Sequence, residues 1–298
     1  MKKLFIAMLA VAAVTACAKD EAISIDRQAI DFGNPFVENA VRADYSVGKS
    51  LTAFTVYGTV TGNSNTVALF GGDGATVTGT VGAEAWACNE TEYWVPNCTY
   101  AFQAVADGVI NNGAITVSVG NGNLDLLYAT ATAKTDENAE PILGVNENDV
   151  VEFNFTHLMS KVGFSFVNGC TNTAYGYTIT EVSFTGYDST GTYTISSGAW
   201  DSTVTESDTA LDFDKGNVTH QIIPGAQELE VTIAYEILYN GTKISATSVA
   251  KPLTYTFEKG KSYNIAVTIP APGQPIQFSV AATDGIGAWG NGGTQTLQ

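Results

Sequence analysis

Apolar and polar residues alternate with a period of two through run after run of this chain, the mark of strands that bury one face. The inward set is Ile115, Val117 and Val119 in one run, Val151, Phe153 and Phe155 in the next, and Val162, Phe164 and Phe166 in a third. Two longer runs follow, one facing Leu229, Val231, Ile233, Tyr235, Ile237 and Tyr239 inward, the other Tyr263, Ile265, Val267 and Ile269. No stretch sustains a helical period between caps. The nearest approach is "HLMSK", residues 157–161, which reads either as one helical turn or as a link between strands. Asn240-Gly241 lies between two strand-like runs and predicts a type I′ hairpin, because both residues tolerate positive φ. Asn112-Gly113 and Asn168-Gly169 read the same way. Composition agrees, with 30 Gly, 14 Phe and 13 Tyr among many Thr and Val. The expectation is an all-β chain built as antiparallel β-sandwiches. A chain of 298 residues can bury two such cores. The expected division falls near residue 156, with an N-terminal sandwich over 43–156 and a C-terminal one over 157–298.

The first residues read differently. "MKK" is a short positive region, and "LFIAMLAVAAV", residues 4–14, is apolar but shorter than the roughly 20 residues a membrane-spanning helix needs. Val14, Thr15 and Ala16 then lead to Cys17, the pattern of a bacterial lipobox. The expectation is a signal peptide over 1–16 and a lipid-modified Cys17 as the first residue after export. An ordinary export signal cut near Ala16 is the alternative.

Charge narrows the partners. The net charge of −17 repels nucleic acid and anionic lipid. The chain has two arginines, Arg27 and Arg42, and none among the 256 residues that follow. An arginine-specific protease could trim the N-terminus and meet no further site. Residues 1–42 carry five basic and five acidic groups, so the −17 survives such a cut. Of the other cysteines, Cys88 and Cys98 close the loop "CNETEYWVPNC", and an exported protein could oxidise them to a disulfide. Cys170 is left over and reads as a buried thiol.

Catalytic constellations are missing. The two histidines, His157 and His220, have no partner at a zinc spacing, and no nucleophile elbow or phosphate-binding loop occurs. Neither an enzyme, a metal site nor a cofactor is expected. Trp86, Tyr93 and Trp94 could form a stacking platform for sugars, but aromatic residues beside strands more often pack into the core.

Several passages together resemble a known family. The lipobox cysteine is followed by "AKDE", then by a first strand, "AIDFGNPFVENAVRA", which leads into "LTAFTVYG". "EYWVPNCTYAFQAVA", residues 92–106, "VEFNFTHLMSKVGFSFVN", residues 151–168, "GKSYNIAVTI" and a tail bearing Trp289 complete the series. In order and spacing these are similar to the Bacteroidales fimbrillins, pilin subunits of type V pili that include lipoproteins of gut species. The resemblance implies two tandem transthyretin-like β-sandwich domains and a precursor carried to the outer membrane as a lipoprotein through Cys17. It implies a cut by an arginine-specific protease between Arg42 and Ala43, which removes residues 17–42 with their first strand and opens a groove. A strand from another copy or another pilus subunit would fill that groove. The donor strand corresponds to residues 276–298, with Ile276, Phe278, Val280 and Trp289 facing the groove. A stalk subunit of an extracellular adhesion fimbrium is the reading this favours. A pilus tip or anchor subunit, or a monomeric surface lipoprotein that binds glycan, is the alternative.

Overall fold

In a computed structural model the structure describes residues 28–37, 44–45, 49–80, 86–120, 124–143, 150–201, 205–282, 290–291 and 295–296. Cys17, Arg42, Ala43 and Trp289 lie outside the described residues. Those described form β-strands almost throughout, with two short 3-10 turns at Phe70–Gly72 and Asp214–Gly216 and no α-helix among them.

The N-terminal half is one curled sheet. Its strands run in the order Phe36–Val37, Asn154–His157, Leu127–Thr135, Thr99–Ala106, Ala53–Gly62, Ala75–Thr78 and Ala87–Cys88. Asn65–Leu69 and Pro141–Ile142 branch from it. The long strands pair antiparallel, Thr99–Ala106 lying between Leu127–Thr135 and Ala53–Gly62. Alternate residues of Thr99–Ala106 enter the core, Tyr100, Phe102 and Ala104 being buried.

The C-terminal half stacks two sheets. One has the order His220–Ile222, Ser160–Asn168, Lys261–Ile269, Gln277–Ala282 and Gln295–Thr296. The other has the order Leu211–Asp212, Tyr175–Thr185, Gly225–Tyr239 and Thr242–Phe257. Val162, Val182, Ile233, Ile265 and Val267 are fully buried in the cluster these strands share. A third, smaller sheet pairs Ala114–Ser118 with Tyr187–Thr194, from Ala114 opposite Thr194 to Ser118 opposite Thr190. Ile115, Val117 and Val119 therefore pack in the second cluster and not in the first.

The two halves meet at the "HLMSK" passage, which is a strand link and contains no helical turn. Asn154–His157 ends one half, Ser160–Asn168 begins the other, and Leu158 and Met159 between them are buried. Several polar groups of the link are engaged on neighbours. Leu158 N–H donates to the Leu126 carbonyl at 2.9 Å, and Trp200 Nε1–H donates to the Leu158 carbonyl at 2.8 Å. Gly260 N–H donates to the Met159 carbonyl at 2.9 Å, and Ser160 Oγ to the Glu258 carbonyl at 2.8 Å. His157 Nδ1 lies 2.8 Å from Asp125 Oδ1, with both side chains buried.

The five alternating runs face inward as expected except at two ends, where Tyr239 is exposed and Phe166 half-buried. Asn240-Gly241 makes its hairpin with both residues at positive φ, 47° and 78°, and Asn112-Gly113 does the same. Asn168-Gly169 does not. Ser160–Asn168 and Tyr175–Thr185 belong to different sheets, so the chain crosses between layers there, and the Asn168 side chain accepts the Cys170 N–H at 2.9 Å.

Gly186 is the corner at which the chain leaves one sheet, at Thr185, and enters another, at Tyr187. Its φ is +78°, and a Cβ there would meet the Glu228 carbonyl oxygen at 2.5 Å. Gly186→Ala is expected to destabilise the chain by about 2 kcal/mol or more, from left-handed strain and the clash together, read as a lower urea midpoint with an unchanged slope.

Candidate functional site

The segment 28–37 fills the seam of the curled N-terminal sheet. On one side it runs parallel to the strands that end that half, with Asp31 opposite Val150, Phe32 opposite Val151, Phe36 opposite Asn154 and Val37 opposite Phe155. On the other side it lies antiparallel to residues 86–94, through bridges from Ala29 to Tyr93 and from Phe32 to Trp86. Its backbone is hydrogen-bonded on both sides. Trp94 N–H donates to the Gln28 carbonyl at 3.1 Å, Ile30 N–H to the Glu92 carbonyl at 2.9 Å, and Trp86 N–H to the Phe32 carbonyl at 3.0 Å. Gly33 N–H donates to the Val151 carbonyl at 3.0 Å and Phe36 N–H to the Phe153 carbonyl at 2.8 Å. One short segment thus satisfies two sheet edges that, among the described residues, pair with no other strand along this seam.

Its side chains complete the core beneath. Ile30, Phe32 and Val37 are buried in the first hydrophobic cluster. The Phe32 ring stacks on Phe153 at 6.0 Å and touches Phe70 and Phe102, each at 6.2 Å. Full burial of such a side chain contributes roughly 1.5–3 kcal/mol relative to exposure. Alternation showed that Phe153 faces inward, but neither Phe70, in a 3-10 turn, nor Phe102 carried any sign of converging on residue 32.

The aromatic loop divides. Trp86 lies buried against Phe54 at 5.7 Å, and Trp94 lies buried edge-on to Tyr100 at 4.7 Å. Only Tyr93 of the three is exposed. The two tryptophans form the far wall of the seam, packed into the core, so the three rings do not form a sugar platform on this face.

The disulfide that the sequence left open is not formed. Cys88 and Cys98 are free thiols, and the sheet register keeps them apart. Cys88 sits opposite Val77, which sits opposite Phe54, whereas Thr99, next to Cys98, sits opposite Thr61. Phe54 and Thr61 are on one strand, separated by roughly 23 Å at ~3.3 Å per residue. A disulfide tolerates at most about 7 Å between Cα atoms. Burial pushes both thiols above their ordinary pKa, which favours the unreactive protonated form.

At the other end of the chain, Gln277–Ala282 pairs antiparallel with Lys261–Ile269, and Ile276, Phe278 and Val280 are buried in the second cluster. Three of the four residues expected on the donor strand are thus seated in their own core. Among the described residues, no group of three or more His, Cys, Asp or Glu side chains could hold a metal ion.

Comparison with known proteins adds the following. Residues 42–284 match a family described as fimbrillin-like. Among solved structures, a candidate cell adhesion protein of Bacteroides ovatus superposes with a TM-score of 0.56 at 17% identity, covering 85% of this chain and 96% of that one. A fimbrial protein of Bacteroides vulgatus gives 0.55 at 14%, covering 84% and 98%. A candidate cell adhesion protein of Bacteroides uniformis gives 0.54 at 16%, covering 86% and 98%. At these identities the likeness establishes a shared fold. No curated protein matches the chain.

Two outcomes test the site. Phe32→Ala should lower unfolding free energy by about 3–5 kcal/mol in urea titration, because it empties a fully enclosed ring position. In a chain of residues 43–298, unfolded without reductant, alkylation should label all three cysteines. A mass showing one label would restore the disulfide.

Proposed function

This chain belongs to the fimbrillin-like family, and from that premise we propose that it is a pilus subunit that polymerises by exchanging its N-terminal strand for a strand of another copy. Its work is structural and not enzymatic. The observation that carries the proposal is the seat of residues 28–37. The strand closes a seam with hydrogen bonds on both sides, and its last described residue, Val37, comes five residues before Arg42. A single cut after Arg42 separates the segment from the body, and Ala43 becomes the new N-terminus. Loss of the segment would uncover the Phe70, Phe102 and Phe153 rings and leave two sheet edges unpaired. Such a slot selects an extended strand with alternating apolar residues.

In this proposal the precursor is an outer-membrane lipoprotein anchored through Cys17, and the mature subunit works in an extracellular fimbrium used for adhesion. Other pilus subunits and an arginine-specific protease are its partners. The donor lies in the tail 276–298. Donation by residues 283–298, which include Trp289, leaves Ile276, Phe278 and Val280 in their own core, whereas donation from residue 276 onward strips that core of three buried side chains. The physical cost assigns exchange to the part beyond Ala282. The sugar-binding monomer has lost its platform with the burial of Trp86 and Trp94.

Protein shed from the cell surface should begin at Ala43 on N-terminal sequencing. A start at lipidated Cys17 would identify an anchor subunit instead. Arg42→Ala should abolish the higher oligomers that wild-type protein forms on treatment with an arginine-specific protease, because a cut at Arg27 leaves residues 28–37 attached. Oligomers formed by that variant would overturn the slot mechanism.

A further inference from the structure

The seam is tightest at Gly33. A Cβ on that residue would stand 2.9 Å from Val150 Cγ2 and 2.9 Å from Glu152 Cγ, both on the stretch that the segment runs parallel to. Gly33 is buried, and its N–H donates to the Val151 carbonyl at 3.0 Å, so the backbone cannot back away without losing that bond. Its φ lies outside the left-handed region, so room and not backbone conformation calls for glycine here. Two side chains thus close over the segment one residue after its Phe32 anchor. Hydrogen bonds and apolar cover are demands that any alternating strand meets. This neck adds a separate, steric demand, glycine directly after an aromatic anchor.

Phe32-Gly33-Asn34 has one counterpart in the sequence. An aromatic residue followed by Gly-Asn occurs twice in 298 residues, here and at Trp289-Gly290-Asn291. The remaining aromatic-Gly pairs, Tyr57-Gly58, Phe70-Gly71 and Tyr175-Gly176, are built into strands and a turn of the body. The second triplet falls within 283–298, the part of the tail that can leave without stripping its own core. Two pairings of two residues each hold that part in its own chain, Gly290 and Asn291 beside Lys261 and Ser262, and Gln295 and Thr296 beside Val280 and Ser279. Pairings this short belong to the easily opened end of a structure. Outside the triplet the two stretches differ. Gly287 stands where Ile30 does, and Gly292 where Pro35 does. Trp289 is therefore the tail's single large anchor.

An indole is larger than the ring it would replace, and one wall of the seat can yield. Phe102 is fixed on strand Thr99–Ala106, and Phe153 lies between strands Val150–Val151 and Asn154–His157. Phe70 instead starts a turn whose φ values are +54° at Phe70, +64° at Gly71 and +82° at Gly72. A bulky side chain at positive φ is strained. Nothing lies within 4 Å of where a Cβ on Gly71 would stand, so the turn has free space beside it. A shift of this turn widens the seat, and a return of Phe70 to negative φ releases its strain.

We propose that Gly33 marks a glycine-selective neck, and that the tail of another copy enters the slot in the register that puts Trp289 in the Phe32 seat and Gly290 under Val150 and Glu152. The inference rests on the strand-exchange reading and adds to it the register and the residues that set it. Alternating runs such as 151–155 and 162–166 carry an aromatic anchor without the glycine, and the neck rejects them. The register also fixes a reach. Trp289 is seven residues beyond Ala282, the last residue of its own core strand. The acceptor's seat therefore lies within about 25 Å of that strand's end, at ~3.6 Å per extended residue.

The experiment uses the full chain treated with an arginine-specific protease, with polymer growth followed by light scattering. Gly290→Ala brings a Cβ to the neck and should slow growth by about tenfold or more. Adding Val150→Ala and Glu152→Ala to that chain removes the two side chains that the Cβ meets. Growth should then return to within about twofold of a chain carrying the two neck substitutions alone. That recovery separates a blocked neck from a tail damaged in some other way, and melting of the untreated chains checks that every variant folds. Growth of Gly290→Ala at the wild-type rate, or a slow rate that the wider neck does not restore, would overturn the register and leave strand exchange standing. Wild-type protein that is cut after Arg42 and forms no polymer would sink strand exchange itself, and the register with it.

Discussion

Phe32 sits where three phenylalanines from distant parts of the chain converge, and the rest of the N-terminal half depends on its being there. The half is a curled sheet whose two sides do not meet. Strand Ala87–Cys88 ends one side and Asn154–His157 the other, and residues 28–37 are the material between them. A sheet with an open seam has two costs, unpaired backbone groups along both edges and an uncovered core. The segment removes both at once, through hydrogen bonds on each side and through Ile30, Phe32 and Val37 below. Its fit is generic in chemistry, since any strand with alternating apolar residues meets the same demands. On the proposed reading, that generality would let a covalent strand be exchanged for a foreign one.

The C-terminal half is built to the opposite specification. Its core closes on itself, with Val162, Val182, Ile233 and Ile265 fully enclosed by two facing sheets. The hairpin 110–118 from the first half is drawn into this core, and the link through Leu158 and Met159 is hydrogen-bonded on both sides. The halves are therefore tied by a packed strand as well as by the chain. Loss of the segment from the seam in one half would therefore leave the closed core of the other intact.

Much of this could be read from the residues in order. The alternating runs identified nearly every inward side chain of the strands they covered, because a half-buried strand allows only one register of burial. Asn240-Gly241 and Asn112-Gly113 announced their turns by backbone preference alone. Asn168-Gly169 did not, since the same pair can serve a hairpin or a crossing between sheets, and partner strands choose between these. Cys88 and Cys98 illustrate the same limit. Nearness in sequence suggested a bond, and the register of a strand some thirty residues away separates them. Trp86 and Trp94 could equally have faced solvent or core, and only the seam shows which face they line.

By itself, the sequence determined what is local and repetitive. It specified an all-β chain, the faces of its longest strands, the sites of two hairpins, a first strand bounded by two arginines and a body without any more. These follow from backbone preference, period and count, which need no knowledge of what lies across the sheet. Tertiary structure decided what the strands do for one another. It placed residues 28–37 in a seam with two partners and seated Ile276, Phe278 and Val280 in their own core. Each of these depends on contacts between residues far apart in the chain, and such contacts are set by which strands pair and in which register.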